Sequence, residues 1–535
     1  MNIKTAHSKL VFKILIVIFA FYINYYYANK GLYPIDTFSF FDTGYYITEG
    51  QHPIKDFWVI SGILIDYLQA FFFSIFGHNW NAYVFHACFF NILISLSFFI
   101  FLNNFNSHIL QNFILSICVA TLCYPIIGTP FPYQHSLILS VITIFIFYLA
   151  VIKKNNKFWF ILPLFMCFSF LSMQLPSGII NFLIIIFLLI YFFIFNKQFI
   201  KYFIAGSVLS LALFFSYLTI FEISFREFYT QIILFPIEVG LGRIVSNESA
   251  FDAAKLSNKM TVRGTLGHFK FLFLFIFLNL AILIFYLKKN YSVKSINQNF
   301  IINLFIFFCS LGFIFHQLIT ANQTFIFCLI PILCGFSIIQ LDQLTKVKNK
   351  MKIQILLIFI VLFSTIKYHL VYNENRKFVD LQNINLVNAI NSDFLNIKLK
   401  NLQWITPNYY NKNPELELSL LKESMKVIKN DQRNKMIITH YQFFSLISEE
   451  NLNIPNRWYY PNNTFPSSKK SKLYDSYIKK FQDKVADKNI EIIYVAETIP
   501  GEFKFMNFKK ILNSECLKRN NHNKILYSIR LNSCY

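Results

Sequence analysis

From Tyr67 to Ile152 the chain carries no Asp, Glu, Lys or Arg. Water-facing surfaces of that length do not go uncharged, so this stretch must face lipid or other protein. The same bias runs through all 535 residues, of which 55% are hydrophobic, 19% aromatic and only 14% charged, far from the soluble average. Apolar runs of about 17 to 20 residues, the length that crosses ~30 Å of hydrocarbon, lie at about 10–28, 82–102, 109–127, 136–152, 158–174, 178–195, 202–221, 269–287, 300–318, 324–341 and 353–371. They predict eleven transmembrane helices. The first has the basic start of a signal peptide but no small-residue cleavage site after it, so it reads as an uncleaved span.

A net charge of +22 would suggest nucleic acid in a soluble protein, but here position decides otherwise. Lysines cluster between the apolar runs: Lys4, Lys9 and Lys13; Lys153, Lys154 and Lys157; Lys197 and Lys201; Lys288, Lys289 and Lys294; Lys346, Lys348, Lys350 and Lys352. This is the positive-inside pattern. With the N-terminus in the cytoplasm of a bacterial inner membrane, every cluster is cytoplasmic. Residues 29–80, 222–268 and 372–535 then lie outside. Residues 57–77 are apolar too, yet Asp66 and Gln69 interrupt them, and a span there would invert every later loop. They are predicted as an amphipathic helix on the outer surface.

The chain thus divides into a membrane part, 1–371, and an extracytoplasmic α/β domain, 372–535, of ordinary domain size. In the tail "NPELELSLLKESMKVIKN" has Asn413 as N-cap and Pro414 at the first helical position. "KMIITHYQFF", "IEIIYVAE" and "KILYSIRL" read as strands. Seven of the nine cysteines sit in apolar runs as small hydrophobes. The other two, Cys516 and Cys534, flank the last predicted strand, and an oxidising compartment would permit a disulfide between them.

Four acids, Asp36, Asp42, Glu49 and Asp56, gather directly after the first span. The stretch "FFDTGYYITEGQHPIKDFW", followed by "GILIDYLQAFFFSIFG", resembles the first extracytoplasmic loop of GT-C glycosyltransferases, in particular the protein O-mannosyltransferase and aminoarabinose transferase branches. In that family an acid follows the first span, then a helix ending in Gly, then a surface helix ending in "FG". Asp42, Gly50 and Phe76-Gly77 occupy those places here. Thr43 stands where those branches often carry a second acid. The tail, with "ITHYQFF" and "IIYVAE", is similar to the soluble outer domain of some members. The resemblance implies an enzyme that uses a polyprenyl-phosphate sugar as donor and an envelope lipid, glycan or protein as acceptor, with membrane lipids around it.

The chemistry of such a transfer needs a base for the acceptor hydroxyl and positive charge, from side chains or a divalent metal, at the leaving phosphate. A phosphate leaves as a stable anion, so the acid that glycosidases require is dispensable. Asp42, opening a short helix that Gly50 can end, is the expected base, with Asp36 and Asp56 as the other candidates. The structural alternative for Asp42 is a helix cap. Arg243, in "GLGR", is the expected phosphate ligand, and Arg226, Arg263 and His268 lie in the same outer loop. A snorkelling anchor is the alternative for Arg243. Three polar clusters at span ends, Tyr133, Gln134 and His135, then Gln174, then His316, Gln317, Asn322 and Gln323, are candidates to line a cavity, because polar groups in a membrane are costly. Each is also the kind of residue that bonds helix to helix. A transporter or lipid flippase is the competing reading of so many spans. The topology is checked by labelling: in intact cells an impermeant thiol reagent should reach the Asn462→Cys variant and spare Asn290→Cys.

Overall fold

The computed structural model describes residues 3–105, 108–245, 261–289, 298–320, 326–344, 349–374, 381, 384–407, 410, 412–512 and 517–531. Each of the eleven apolar runs forms a helix. Among the described residues eight helices are long and apolar enough to cross a membrane, while Ile109–Cys123, Asn156–Ser172 and Lys270–Phe285 fall short of that length. The chain is therefore a polytopic helical membrane protein. Pro132–Lys153 is the central helix, buried almost along its whole length; on it Phe145 stacks on Phe101 and Phe147 meets Phe305 edge to face. Helix Ile200–Ile220 approaches Asn156–Ser172 so closely at Gly206 that a Cβ there would sit 2.0 Å from the Phe160 carbonyl oxygen, the small-residue contact that membrane helices favour.

The surface helix is Ile63–Phe76, ended by Gly77. It is not simply laid on lipid, for Asp66 and Gln69 are completely buried. Helix Phe41–Thr48 packs on it, and a Cβ at Gly44 would overlap Gln69 at 2.6 Å.

The tail begins with a two-residue ladder, β1 (Ile390–Asn391) against β2 (Gln403–Trp404). It continues into a four-stranded sheet of β3 (Lys435–Thr439), β4 (Ile492–Ala496), β5 (Lys518–Asn521) and β6 (Leu526–Arg530), in the order β3-β4-β6-β5. β3 and β4 are parallel and the other pairs antiparallel. Helix Pro414–Asn430 starts where predicted, with the Asn413 side chain accepting from the Leu416 amide at 3.0 Å. The predicted strand "KMIITHYQFF" stops at Thr439, because the Thr439 hydroxyl accepts from the Tyr441 amide and turns the chain. β5, "KRNN", has no apolar residue and was not foreseen.

The tail does not stand apart from the membrane part. Phe38, Phe40, Phe41 and Trp80 share one hydrophobic core with Trp404, Tyr441 and Phe443 of the tail. Gln403 donates to Asn29 O at 2.8 Å, and Gly31 donates back to Gln403 O at 3.0 Å. The loop that follows helix Ile200–Ile220, termed the third loop, joins them: Gln231 donates to Ile54 O and accepts from the Val59 amide, and Lys480 meets Glu227 at 3.0 Å. At the centre Arg457 contacts Asp66 at 2.6 Å with both side chains fully buried. The guanidinium also bonds Ser61 O and lies over the rings of Phe40 and Trp458, while Thr43 donates to the other Asp66 oxygen at 2.6 Å.

Removing one partner of such a pair strands a buried charge, at a cost of ~3–5 kcal/mol. Arg457→Ala should accordingly make the tail sensitive to protease and lower the melting temperature, and Arg457→Met combined with Asp66→Asn should recover much of the loss. Single and double variants of equal stability would show that the pair does not hold the tail down.

Candidate functional site

A cavity of about 320 Å³ opens where the first loop, the third loop, the tail and the ends of three apolar helices meet; its wall includes Asp36, Tyr133, Gln174, Arg243, His316 and Trp458. That volume suits a small ligand. Asp36 comes from the four-residue helix Pro34–Thr37, whose first position Pro34 pre-sets. The peptide is pinned by Ser39, which donates to Asp36 O at 2.5 Å, and by Trp458, whose indole N–H donates to Ile35 O at 3.1 Å. The Asp36 side chain is half-buried.

Arg243 arrives on helix Phe235–Val245, directly after the π-helical turn Tyr229–Leu234. Its Nη2 donates to Asn463 Oδ1 at 3.4 Å, and among the described residues its buried Nε has no hydrogen-bond partner. A Cβ would meet nothing within 4 Å at Gly240 or Gly242, so room for a ligand remains beside the helix. Gln174 ties two loops together, donating to Ile60 O at 2.9 Å and to Ile232 O at 2.8 Å. His316 lies 5.2 Å from the Tyr133 ring, centroid to centroid, and its buried Nε2 is also unpartnered. The cavity thus combines one carboxylate, an arginine with an unused donor, an unused imidazole nitrogen and aromatic walls. This donor set suits an anion beside a hydroxylated ring better than a divalent cation. Among the described residues no group of three or more His, Cys, Asp or Glu is placed to hold a metal.

Several expected site residues lie elsewhere. Asp42 does not reach the cavity: it is fully buried, and its oxygens accept from the amides of Leu446 at 2.9 Å and Ser445 at 3.2 Å. It closes the start of tail helix Phe444–Ser448, the capping role transferred to a helix some 400 residues away in sequence. Burial pushes its carboxyl up to about 7 against the pull of those two amides. Asp56 orders its own loop, accepting from the His52 amide at 2.7 Å, and shares a separate charged cleft with Arg226. Arg263 stands on an exposed π-helical turn, and His268 packs on Phe269, Phe327 and Tyr372.

Gln134 turns into the bundle to the Cys123 carbonyl. His135 pairs with His86 at 3.1 Å and with Phe131 O, and Gln317 bonds His316 rather than lining the cavity. Asn322, Gln323, Cys516 and Cys534 fall outside the described residues. The tail's own contribution, Trp458, Tyr460, Asn463 and Thr464, was not foreseen. Its one visible signal is "RWYYPNN", three consecutive aromatics before a proline in an otherwise polar region.

No protein-family model matches the chain, and no curated protein is significantly similar to it.

The Asp42 carboxyl lies above its ordinary value of 3.8 in the fold, so the folded chain holds a proton that the unfolded chain releases. Its contribution to stability is present below pH ~4 and is lost as pH rises toward 7, at up to ~1.4 kcal/mol per unit. Asp42→Asn should flatten that part of the profile in melts between pH 4 and 8. It should also weaken the fold by ~1–3 kcal/mol, since an amide oxygen cannot serve both backbone donors as two carboxylate oxygens do. An unchanged slope in the variant would place the pH dependence elsewhere.

Proposed function

We propose that the protein is a membrane glycosyltransferase of the GT-C kind that moves a sugar from a polyprenyl-phosphate donor to a hydroxyl of an envelope lipid, glycan or protein. The reading takes all eleven apolar helices as spans of a bacterial inner membrane, with loops 29–80 and 222–268 and the tail on the outer face. The observation that carries it is the meeting of Asp36, Arg243 and an aromatic wall in one cavity at the ends of membrane helices. A lipid-borne donor and a water-borne acceptor can meet only at such a boundary.

In this reaction the acceptor oxygen attacks the anomeric carbon while the bond from that carbon to the phosphate oxygen breaks. The electron pair leaves with polyprenyl phosphate, and the acceptor's proton passes to Asp36. Arg243 holds the departing phosphate through charge-assisted hydrogen bonds, its free Nε included. Asp42, the family's expected acid by position, keeps Asp36 in place indirectly, by fastening the tail over the loop.

Asp36→Asn should leave donor binding intact and lower turnover by about 10²–10⁴, the usual worth of a general base. Arg243→Ala should weaken donor affinity first. The assay follows polyprenyl phosphate released from a panel of polyprenyl-phosphate hexoses and pentoses. Near-normal turnover in Asp36→Asn would defeat the assignment of the base. Transbilayer movement of the intact donor without release would favour a flippase.

A further inference from the structure

A second cavity, of about 280 Å³, lies on the tail side of the first, and Tyr33, Ile35 and Tyr460 line both. Its polar element is a pair of tail residues, His440 and Glu502, with His440 Nε2 at 3.2 Å from Glu502 Oε1. His440 is 5% exposed. Glu502 is fixed from its other oxygen, which accepts from the Thr498 amide at 2.9 Å and from its hydroxyl at 2.6 Å. With Nε2 turned to Glu502, Nδ1 is the ring nitrogen left for a ligand, as acceptor when the ring is neutral, and no protein group among the described residues bonds it. Phe503 and Tyr459 brace the ring at 5.2 and 6.1 Å.

Glu502 closes the turn from Thr498, but the strand end that carries His440 does not depend on the pair. β3 ends at Thr439, which is anchored independently by its hydroxyl on Ala496 O at 2.8 Å. An oriented imidazole beside the rings of Tyr33, Tyr460 and Phe505 matches a hydroxylated ring with one apolar face, since hydroxyls need directed partners and C–H faces need aromatic surface. A phosphate would find no cation among the lining residues.

We infer that this second cavity is a saccharide-binding subsite in which His440, positioned by Glu502, accepts a hydrogen bond from a sugar hydroxyl. The inference deepens the proposed function, on which it rests for its role: a saccharide held here lies across Tyr33 and Tyr460 from the Asp36 cavity, where an acceptor would be needed. His440 is a positioning residue for that acceptor. The proton still passes to Asp36.

The test measures binding of methyl hexosides to the full-length protein in lipid nanodiscs by saturation-transfer NMR and titration, with no donor present. At least one hexoside should bind saturably to the unmodified protein, with affinity at least tenfold lower in His440→Gln or Glu502→Gln. Should His440→Gln misfold, Glu502→Gln, which keeps the shape of its side chain, gives the answer. No saturable binding by any hexoside, or unchanged affinity in both variants, overturns the inference. Failure of the glycosyltransferase reading appears separately, as absence of polyprenyl phosphate release by a protein that still binds hexosides through His440.

Discussion

The buried ion pair of Arg457 with Asp66 is the contact from which the rest of the outer structure hangs. Two charges with no exposure at all survive in a protein interior only when each is met by its opposite and by further hydrogen bonds. Here Thr43, the Ser61 carbonyl and the faces of Phe40 and Trp458 supply most of the shell, the Arg457 Nε alone of the guanidinium nitrogens lacking a hydrogen-bond partner among the described residues. The pair decides where neighbouring side chains fall. Trp458, next in sequence to Arg457, fixes the peptide before Asp36 and forms part of the cavity wall. The position of the candidate base thus traces back to an electrostatic requirement in a helix that does not touch the cavity.

The acids of this surface are sorted by what the backbone around them lacks. Asp42 meets two helix-start amides, Asp66 a guanidinium, and Asp56 the amide of its own turn. Glu417 is fully buried among Trp404, Thr406 and Tyr441, each of which donates to it. Burial raises that carboxyl, and the three donors pull it back. Such groups are spent on structure, because moving any of them would leave donors unmet in a dry interior. Asp36 differs in being half-buried and lining a cavity.

The sequence carried much of the architecture. The eleven apolar runs, the surface helix ending at Gly77, the Asn413 cap and the cores of three strands all follow from local periodicity and capping chemistry. Tyr133, Gln174, Arg243 and His316 do line one cavity, but spacing offered them as separate groups, each equally able to bond helix to helix. Local pattern failed wherever a partner lies hundreds of residues away. Nothing near Asp42 announces that residues 445 and 446 need an acceptor, and nothing near Asp66 announces Arg457. The all-polar strand β5 is likewise a strand only because β6 offers it an edge, Lys518 pairing with Arg530. His135 and Gln134 look like cavity residues from spacing alone, but His86 and the Cys123 carbonyl claim them inside the bundle.

The 391 residues between Asp66 and Arg457 also set an order of events during synthesis. At about 5–20 residues per second, the first loop emerges roughly 20–80 s before the guanidinium that meets its buried acid. Through that interval Asp66 must remain hydrated or protonated, whereas Ile54, held at a φ of 74° that a β-branched residue resists, waits only for Gln231, 177 residues later, to clamp it. A chain cut short between residues 374 and 456 would therefore have its membrane helices but lack the Trp458, Tyr460, Asn463 and Thr464 part of the cavity wall. The wall is complete only once the tail has been made.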